Sequence, residues 1–363
     1  MGYRKKLIFL VLLIALVSLL QYMLPGNRAA MHLYSQYVFK PFQTFRNVLL
    51  GGLPVSIGDL LYTAGFIVLT VTLIRWGYFL VHIRTHRHYL IHSLMRSGIT
   101  LGVLYVLFFI GWGGNYYRTS LSDHWRLGAH AVPPHDSMLF AYDRFLINKL
   151  NELAPHYRPL RFQEVDRRAQ AYFKVYTDSR TRMHGLNAKA SIFGYFMQYI
   201  GIQGYYNPFT GEAQVNRFQP SFMLPFVVCH ELAHQSGIAA EGDANLLSYA
   251  LCTSVPDTTF LYSGYLNSWL YTNARLYLLD SVRAKTYREE LNPQTIAHID
   301  TLFRIRRRYR SEVGVYSRYL YDGYLRLHNQ KDGIRSYNRM AYTAWLLEQQ
   351  RSAGRHRGLI SIP

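Results

Sequence analysis

Hydrophobic positions are distributed very unevenly along this chain. Three uncharged apolar stretches occupy the first third: Leu7 to Leu24, following Arg4-Lys5-Lys6; a run from Leu60 to Ile74 that continues past Arg75 toward Ile83; and Ser97 to Tyr117. Each approaches the roughly 20 residues that a helix needs to cross a bilayer, and the long stem of Arg75 can snorkel to the membrane edge. The pattern predicts membrane-spanning helices at about 7–24, 60–83 and 97–117. No small-x-small cleavage site follows the first, so it reads as an uncleaved anchor rather than a signal peptide.

Beyond about Arg118 the apolar residues take up helical spacing. Ser137 to Leu153, Arg161 to Phe173, Leu261 to Leu279, Pro293 to Tyr309, Val315 to Leu327 and Met340 to Leu347 all read as helices. Between Ser191 and Val215 the texture shifts to Gly, Tyr, Phe, Ile and Gln with turn residues, which predicts short strands or a hairpin. The expected fold is therefore mainly α. A membrane anchor over residues 1–117 is followed by a mostly helical domain over 118–363 with a small β-sheet or hairpin.

Charge adds an orientation. Basic residues cluster at Arg4, Lys5 and Lys6 and again at Arg84, Arg87 and Arg96, between the second and third apolar runs. By the positive-inside rule both regions belong in the cytoplasm. The segment between the first two runs carries Arg28, Lys40 and Arg46, so the contrast is modest. Three spans from an inside N-terminus place everything after about Gly113 outside the cytoplasm, in the periplasm or at the exterior.

The formal net charge of +19 divides almost evenly, with ten basic residues against one acid up to residue 112 and 30 against 20 beyond it. No nucleic-acid motif accompanies the excess, so nucleic acid is not an expected partner. Anionic lipid headgroups or an acidic envelope component fit better beside a membrane. The basic run Arg304 to Arg310 reads as a solvated helix face.

The chemistry concentrates in Cys229-His230-Glu231-Leu232-Ala233-His234-Gln235-Ser236-Gly237. Residues four apart share one helix face, so His230 and His234 can present ring nitrogens to one metal ion, while Glu231 reaches a water beside it. Pro225 suits the first turn of such a helix and Gly237 its end. A second helix is predicted from about Glu241.

Catalytic zinc normally takes three protein ligands and keeps a fourth position open. The segment resembles the metzincin pattern HExxHxxGxxH in having Gly237 at the glycine position, but Ala240 stands where the third His would be. Glu241-Gly242-Asp243-Ala244-Asn245 resembles the ExxAD signature of gluzincins, with Asn245 at the Asp position. That resemblance makes Glu241 the third ligand and Asn245 a residue behind it whose oxygen accepts an imidazole N–H. Asp243, equally close in sequence, is the alternative ligand.

The run Gly204-Tyr205-Tyr206-Asn207-Pro208-Phe209-Thr210-Gly211-Glu212-Ala213-Gln214-Val215-Asn216, followed by HELAHQSGIAAEGDAN, resembles a bacterial membrane family catalogued as domain of unknown function 3810 and grouped with the zincin-like metallopeptidases. Pro54-Val55-Ser56-Ile57-Gly58-Asp59 and Trp112-Gly113-Gly114-Asn115-Tyr116 extend the likeness over most of the chain. The resemblance implies a multi-pass protein of the bacterial cytoplasmic membrane, a zincin-like domain and a hydrolase, without a substrate.

The resulting expectation is a membrane-anchored Zn2+ metallopeptidase acting on a peptide or protein at the cell envelope, with His230, His234 and Glu241 as ligands and Glu231 as the proton carrier. Two imidazoles and a carboxylate also suit manganese or iron. Zincins commonly carry an edge strand just before the metal-binding helix, where a peptide can pair. Gly204, Tyr205 and Tyr206 are candidates for that strand, together with Glu212, a turn carboxylate that reads better as a hydrogen-bond acceptor than as a catalyst.

Tyr337, after the turn Asp332-Gly333, is the expected oxyanion donor, with His328 as its rival. Cys229 and Cys252 read as two small buried hydrophobes, with a disulfide as the alternative. An intramembrane protease is a poorer reading, because Arg217, Glu241 and Asp243 flank the motif closely. So is a non-catalytic envelope protein with structural zinc, which would favour a closed four-ligand site.

Overall fold

In a computed structural model of the chain, which describes residues 3–128, 136–176, 178, 180–327 and 337–354, the three apolar runs form three long helices. These are α1 (Tyr3–Met23), α4 (Ile57–Val81) and α5 (Ile83–Gly111), and each is long and apolar enough to cross a membrane. Their outward faces carry exposed Leu12, Ile74 and Leu101, and α5 packs against both of the others.

Two expected boundaries move. The basic segment Arg84 to Arg96 is not a loop: α4 gives way to α5 at the single residue His82, so these arginines ride on the first turns of a helix. The third span also starts earlier and stops sooner than 97–117, because Trp112 leaves helical geometry (φ −160°, ψ −41°). Its ring stacks on Tyr206 at 5.0 Å between centroids, and a 3-10 turn, Gly113–Tyr117, follows. Apolar composition runs on through those residues because they pack against the mainly helical remainder of the chain.

Between α1 and α4 lie α2 (Arg28–Leu33), a π-helical turn (Tyr34–Phe39) and α3 (Lys40–Gly51). This segment is an unpredicted polar contact with the rest of the protein. Arg46 is buried and donates to the Pro208 carbonyl at 2.7 Å, Gln43 donates to the Gly211 carbonyl at 2.8 Å, and Asn47 donates to the His184 carbonyl at 2.9 Å. Contacts thus cross the division at residue 117.

The remaining elements are α6 (Leu121–His124), α7 (Asp136–Leu153), α8 (Phe162–Tyr176), β1 (Ala188–Ala190), α9 (Gly194–Ile200), β2 (Gly204–Asn207), β3 (Glu212–Val215), α10 (Leu224–Gln235), α11 (Glu241–Cys252), α12 (Thr258–Leu279), α13 (Ser281–Glu289), α14 (Pro293–Arg308), α15 (Glu312–Leu327) and α16 (Tyr337–Ser352). The expected strand region holds three short strands interrupted by α9. They form one sheet of order β1-β3-β2, in which β1 runs parallel to β3 and β2 antiparallel to it, with Tyr206 opposite Ala213. Central β3 is buried throughout.

Helix α10 is buried along nearly its whole length between this sheet and helices α8, α11 and α12. Burial on all sides explains why its apolar residues show no single stripe. Cys229 and Cys252, on the packed pair α10 and α11, are both free, buried thiols, with no disulfide.

Candidate metal centre

Helix α10 opens with Pro225 in its first turn, where no N–H is needed, and ends at Ser236. Gly237 then adopts φ +94°, a left-handed conformation that favours glycine. The Ile238 amide reaches back to the Ala233 carbonyl at 3.1 Å and the Gly237 amide to the His234 carbonyl at 2.9 Å. This reversal closes the helix end and returns the chain so that Glu241 begins α11 beside the two histidines.

Three side chains converge there. His230 Nε2 and His234 Nε2 lie 3.1 Å apart. Glu241 Oε2 lies 3.2 Å from His230 Nε2, and Glu241 Oε1 lies 3.5 Å from His234 Nε2. One ligand atom from each fits within 4.8 Å of the others, the only such His/Cys/Asp/Glu grouping among the described residues. Two ring nitrogens and one carboxylate oxygen, aimed at one point and largely removed from water, suit a divalent ion of the zinc type with a position left for a further ligand. The Ile238 carbonyl lies 2.7 Å from His234 Nδ1, which turns Nε2 toward the cluster.

Electrostatics reinforce the grouping. Burial opposes a charge on His234, but the Glu241 carboxylate outweighs it and raises the imidazole to about 9. Burial likewise opposes charge on Glu241, and the two imidazoles hold it well below the usual carboxylate range. Glu231 behaves differently. It is 3 % exposed, and burial pushes its carboxyl up to about 7 against the pull of the two histidines. Its Oε2 has no hydrogen-bond partner among the described residues. Such a carboxyl exchanges a proton near neutrality.

Strand β2 forms one wall of this site. A Cβ on Gly204 would lie 2.5 Å from Glu231 Oε1, so only a glycine lets the strand approach the carboxylate this closely. Tyr205 and Tyr206 point elsewhere: the Tyr205 hydroxyl donates to Asp59 in the first turn of α4, and the Tyr206 hydroxyl donates to Gln43 Oε1 at 2.7 Å. Glu212 lies apart from the His230, His234 and Glu241 cluster. It accepts from Lys189 Nζ at 2.8 Å and from the Ile57 and Gly58 amides at 3.2 and 2.5 Å, so it caps the N-terminus of α4.

Asp243 and Asn245 are also placed away from the expected contacts. Asp243 Oδ2 accepts from the Leu121 amide at 2.8 Å, at the start of α6, and is turned from the histidines. It lines a polar cavity of 270 Å³ behind the Gly237–Ala240 turn, together with Arg118 and Arg180. Asn245 is buried, but neither its Nδ2 nor His230 Nδ1 has a hydrogen-bond partner among the described residues, and the His234 ring is held by Ile238 instead.

Tyr337 is the first residue of α16, but its side chain lies outside the described residues, as does all of His328. A different tyrosine reaches the site. The Tyr321 hydroxyl, on α15, donates to Glu241 Oε1. Sequence reasoning missed it because the two are 80 residues apart and Tyr321 sits in a helix full of tyrosines.

A family model described as Protein of unknown function (DUF3810) matches residues 34–345 of the chain. No curated protein and no solved structure matches it.

Proposed function

The chain belongs to the family described as Protein of unknown function (DUF3810), and from its converging His230, His234 and Glu241 we propose that it is a membrane-anchored zinc metallopeptidase. The single observation that carries this reading is the grouping of those three ligand atoms within 4.8 Å, with the buried carboxyl of Glu231 next to the first ligand in sequence. Zinc held there would supply Lewis acidity, lowering the pKa of water toward neutrality and polarising a carbonyl.

The chain's own residues supply the rest. Glu231, buried beside His230 with one oxygen unpartnered among the described residues, would take a proton from water and return it to the departing amine. Tyr321 brings a hydroxyl to the ligand carboxylate and is the candidate donor for a developing oxyanion. Strand β2 is a sheet edge whose Gly204 abuts Glu231, and an extended peptide would add there by strand pairing.

The three long helices supply the anchor. Lys6 Nζ lies 3.1 Å from His92 Nδ1, in the half of α5 that starts from His82, and Arg84, Arg87 and Arg96 lie in that same half, while the other half leads to Trp112 and the sheet. That basic end is assigned to the cytoplasm and the metal centre to the outer face of a bacterial cytoplasmic membrane. An intramembrane site fits less well, because α10 has 12 residues and is enclosed by protein.

The test is the metal content of purified full-length protein in detergent, wild type against His234→Ala, Glu241→Ala and Glu231→Gln. Stoichiometric zinc in wild type and Glu231→Gln, lost from the other two, is expected, with peptide hydrolysis abolished in all three variants. Folded wild type that takes up no zinc would overturn the reading, as would an active Glu231→Gln.

A further inference from the structure

Helices α9 and α15 pack closely, with Ser311 Oγ donating to the Tyr199 carbonyl at 2.7 Å, and they turn apolar side chains outward. On α9 and the turn before it, Ile192, Tyr195 and Phe196 are 61, 64 and 56 % exposed. On α15, Tyr316, Tyr319 and Leu320 are 68, 74 and 76 % exposed. Helix α9, Gly194–Ile200, carries no charged residue at all. Such a concentration of solvent-facing aromatic and aliphatic groups calls for a partner.

Both helices are tied to the ends of the membrane-length helices. The Ile192 amide donates to Asp59 Oδ2 at 2.7 Å, in the first turn of α4. Tyr324 of α15 accepts a 3.2 Å hydrogen bond from Tyr116, just past the end of α5. A bilayer that covers the apolar sides of α4 and α5 ends at this level. Tyrosines there, beside arginines, have the composition of a membrane interface, where rings sit among headgroups and cations meet anionic lipid. Arg217 lies over the Phe218 ring, which in turn packs on Tyr195, and five arginines between Arg304 and Arg310 lead into α15.

We propose that α9 and α15 lie in the headgroup region of an anionic bilayer and that the metal centre therefore acts on polypeptide segments next to the membrane surface. The link to the site is Tyr321. It follows Leu320 directly and donates to Glu241, so the helix that would touch lipid also forms part of the metal centre. A helix with its side chains is about 10 Å across, which sets the scale of the distance between lipid and ligands. The lipid contact rests on the membrane anchor proposed above, and the substrate class on the metal reading as well.

Full-length Leu320→Cys, with Tyr319→Cys as a second site, is labelled with an environment-sensitive fluorophore, because Cys229 and Cys252 are buried. The protein is placed in nanodiscs of phosphatidylcholine and phosphatidylglycerol, with and without lipid carrying a shallow nitroxide quencher. A label on exposed Asn148→Cys of α7 is the control. The expected result is a loss of about half the emission at 320 and 319 and none at 148, as interfacial insertion requires.

Equal, weak quenching at all three sites would overturn the proposal. So would a label shielded from water yet unquenched by lipid, in proportion to protein concentration, since that signals a second copy on this face. Zinc content is measured on the same samples, so failure of the metal reading is seen separately from failure of the lipid contact.

Discussion

The main chain at Gly204 stands directly against the Glu231 carboxylate: a methyl group there would lie 2.5 Å from Glu231 Oε1 and 2.8 Å from the Gln214 carbonyl oxygen of β3. The carboxylate could rotate away, but the central strand cannot. Gly204→Ala is therefore expected to displace Glu231 or β2 without touching His230, His234 or Glu241. On the proposed peptidase reading, a misplacement of this size would lower turnover by about 100-fold. Zinc content and peptide hydrolysis are the paired measurements, and full activity with bound zinc would remove β2 from the wall of the site.

Tyr321 offers a hydroxyl to Glu241, and Tyr321→Phe removes that group while keeping the ring. If the hydroxyl also meets the substrate oxyanion, kcat should fall by about 100-fold with KM little changed. Retained zinc would separate this from loss of a ligand. An unchanged kcat would move the oxyanion role elsewhere, with Tyr337 the next residue to substitute.

What was legible in the sequence at this site was local. The i, i+4 spacing of His230 and His234 fixes their common face, and the glycine turn fixes the return of Glu241. Signature positions did not fix side-chain direction. Asn245 follows Glu241 at the expected interval, but the Ile238 carbonyl already holds His234, and Asp243 is drawn off by the Leu121 amide. Tyr321 was invisible because its role depends on packing between distant helices.

The same distinction holds for the fold. Apolar length disclosed α1, α4 and α5, whereas the contact made by Gln43, Arg46 and Asn47 is polar and leaves no hydrophobic period to read. In the sequence Arg46 is one more cation of the segment between the first two apolar runs; in the fold it is a buried donor to the turn of the β2–β3 hairpin. The seven-residue helix α9 was too short to rise above its strand-like surroundings.

Glu212 is expected to act on stability rather than on chemistry. Its ion pair with Lys189 is nearly sealed, with side-chain exposures of 5 and 6 %. Removing one partner of such a pair leaves the other charge buried alone, at a cost of about 3–5 kcal/mol. Glu212→Gln should lower the thermal unfolding midpoint markedly, with the metal content of the folded fraction the same as in wild type. Adding Lys189→Met should recover part of the loss. An unaltered midpoint together with lost hydrolysis would instead give Glu212 a part in the chemistry.

Asp143, on α7, is fully buried, and neither carboxylate oxygen has a hydrogen-bond partner among the described residues. Burial pushes its carboxyl up to about 7, with Arg144 opposing and Glu290 adding to the shift. A folded-state value above the usual 3.8 means that the native protein holds this proton more tightly than the unfolded chain. The group therefore destabilises the fold as pH rises from about 4 to 7, and by on the order of 4 kcal/mol above that range. Asp143→Asn removes the penalty, so it should raise the unfolding midpoint at about pH 8, by an amount that shrinks toward about pH 5.5. Thermal unfolding of both proteins at the two pH values, in the same detergent and metal state, measures the difference. A variant less stable than wild type at the higher pH would mean that the charged carboxylate has a partner in the native fold.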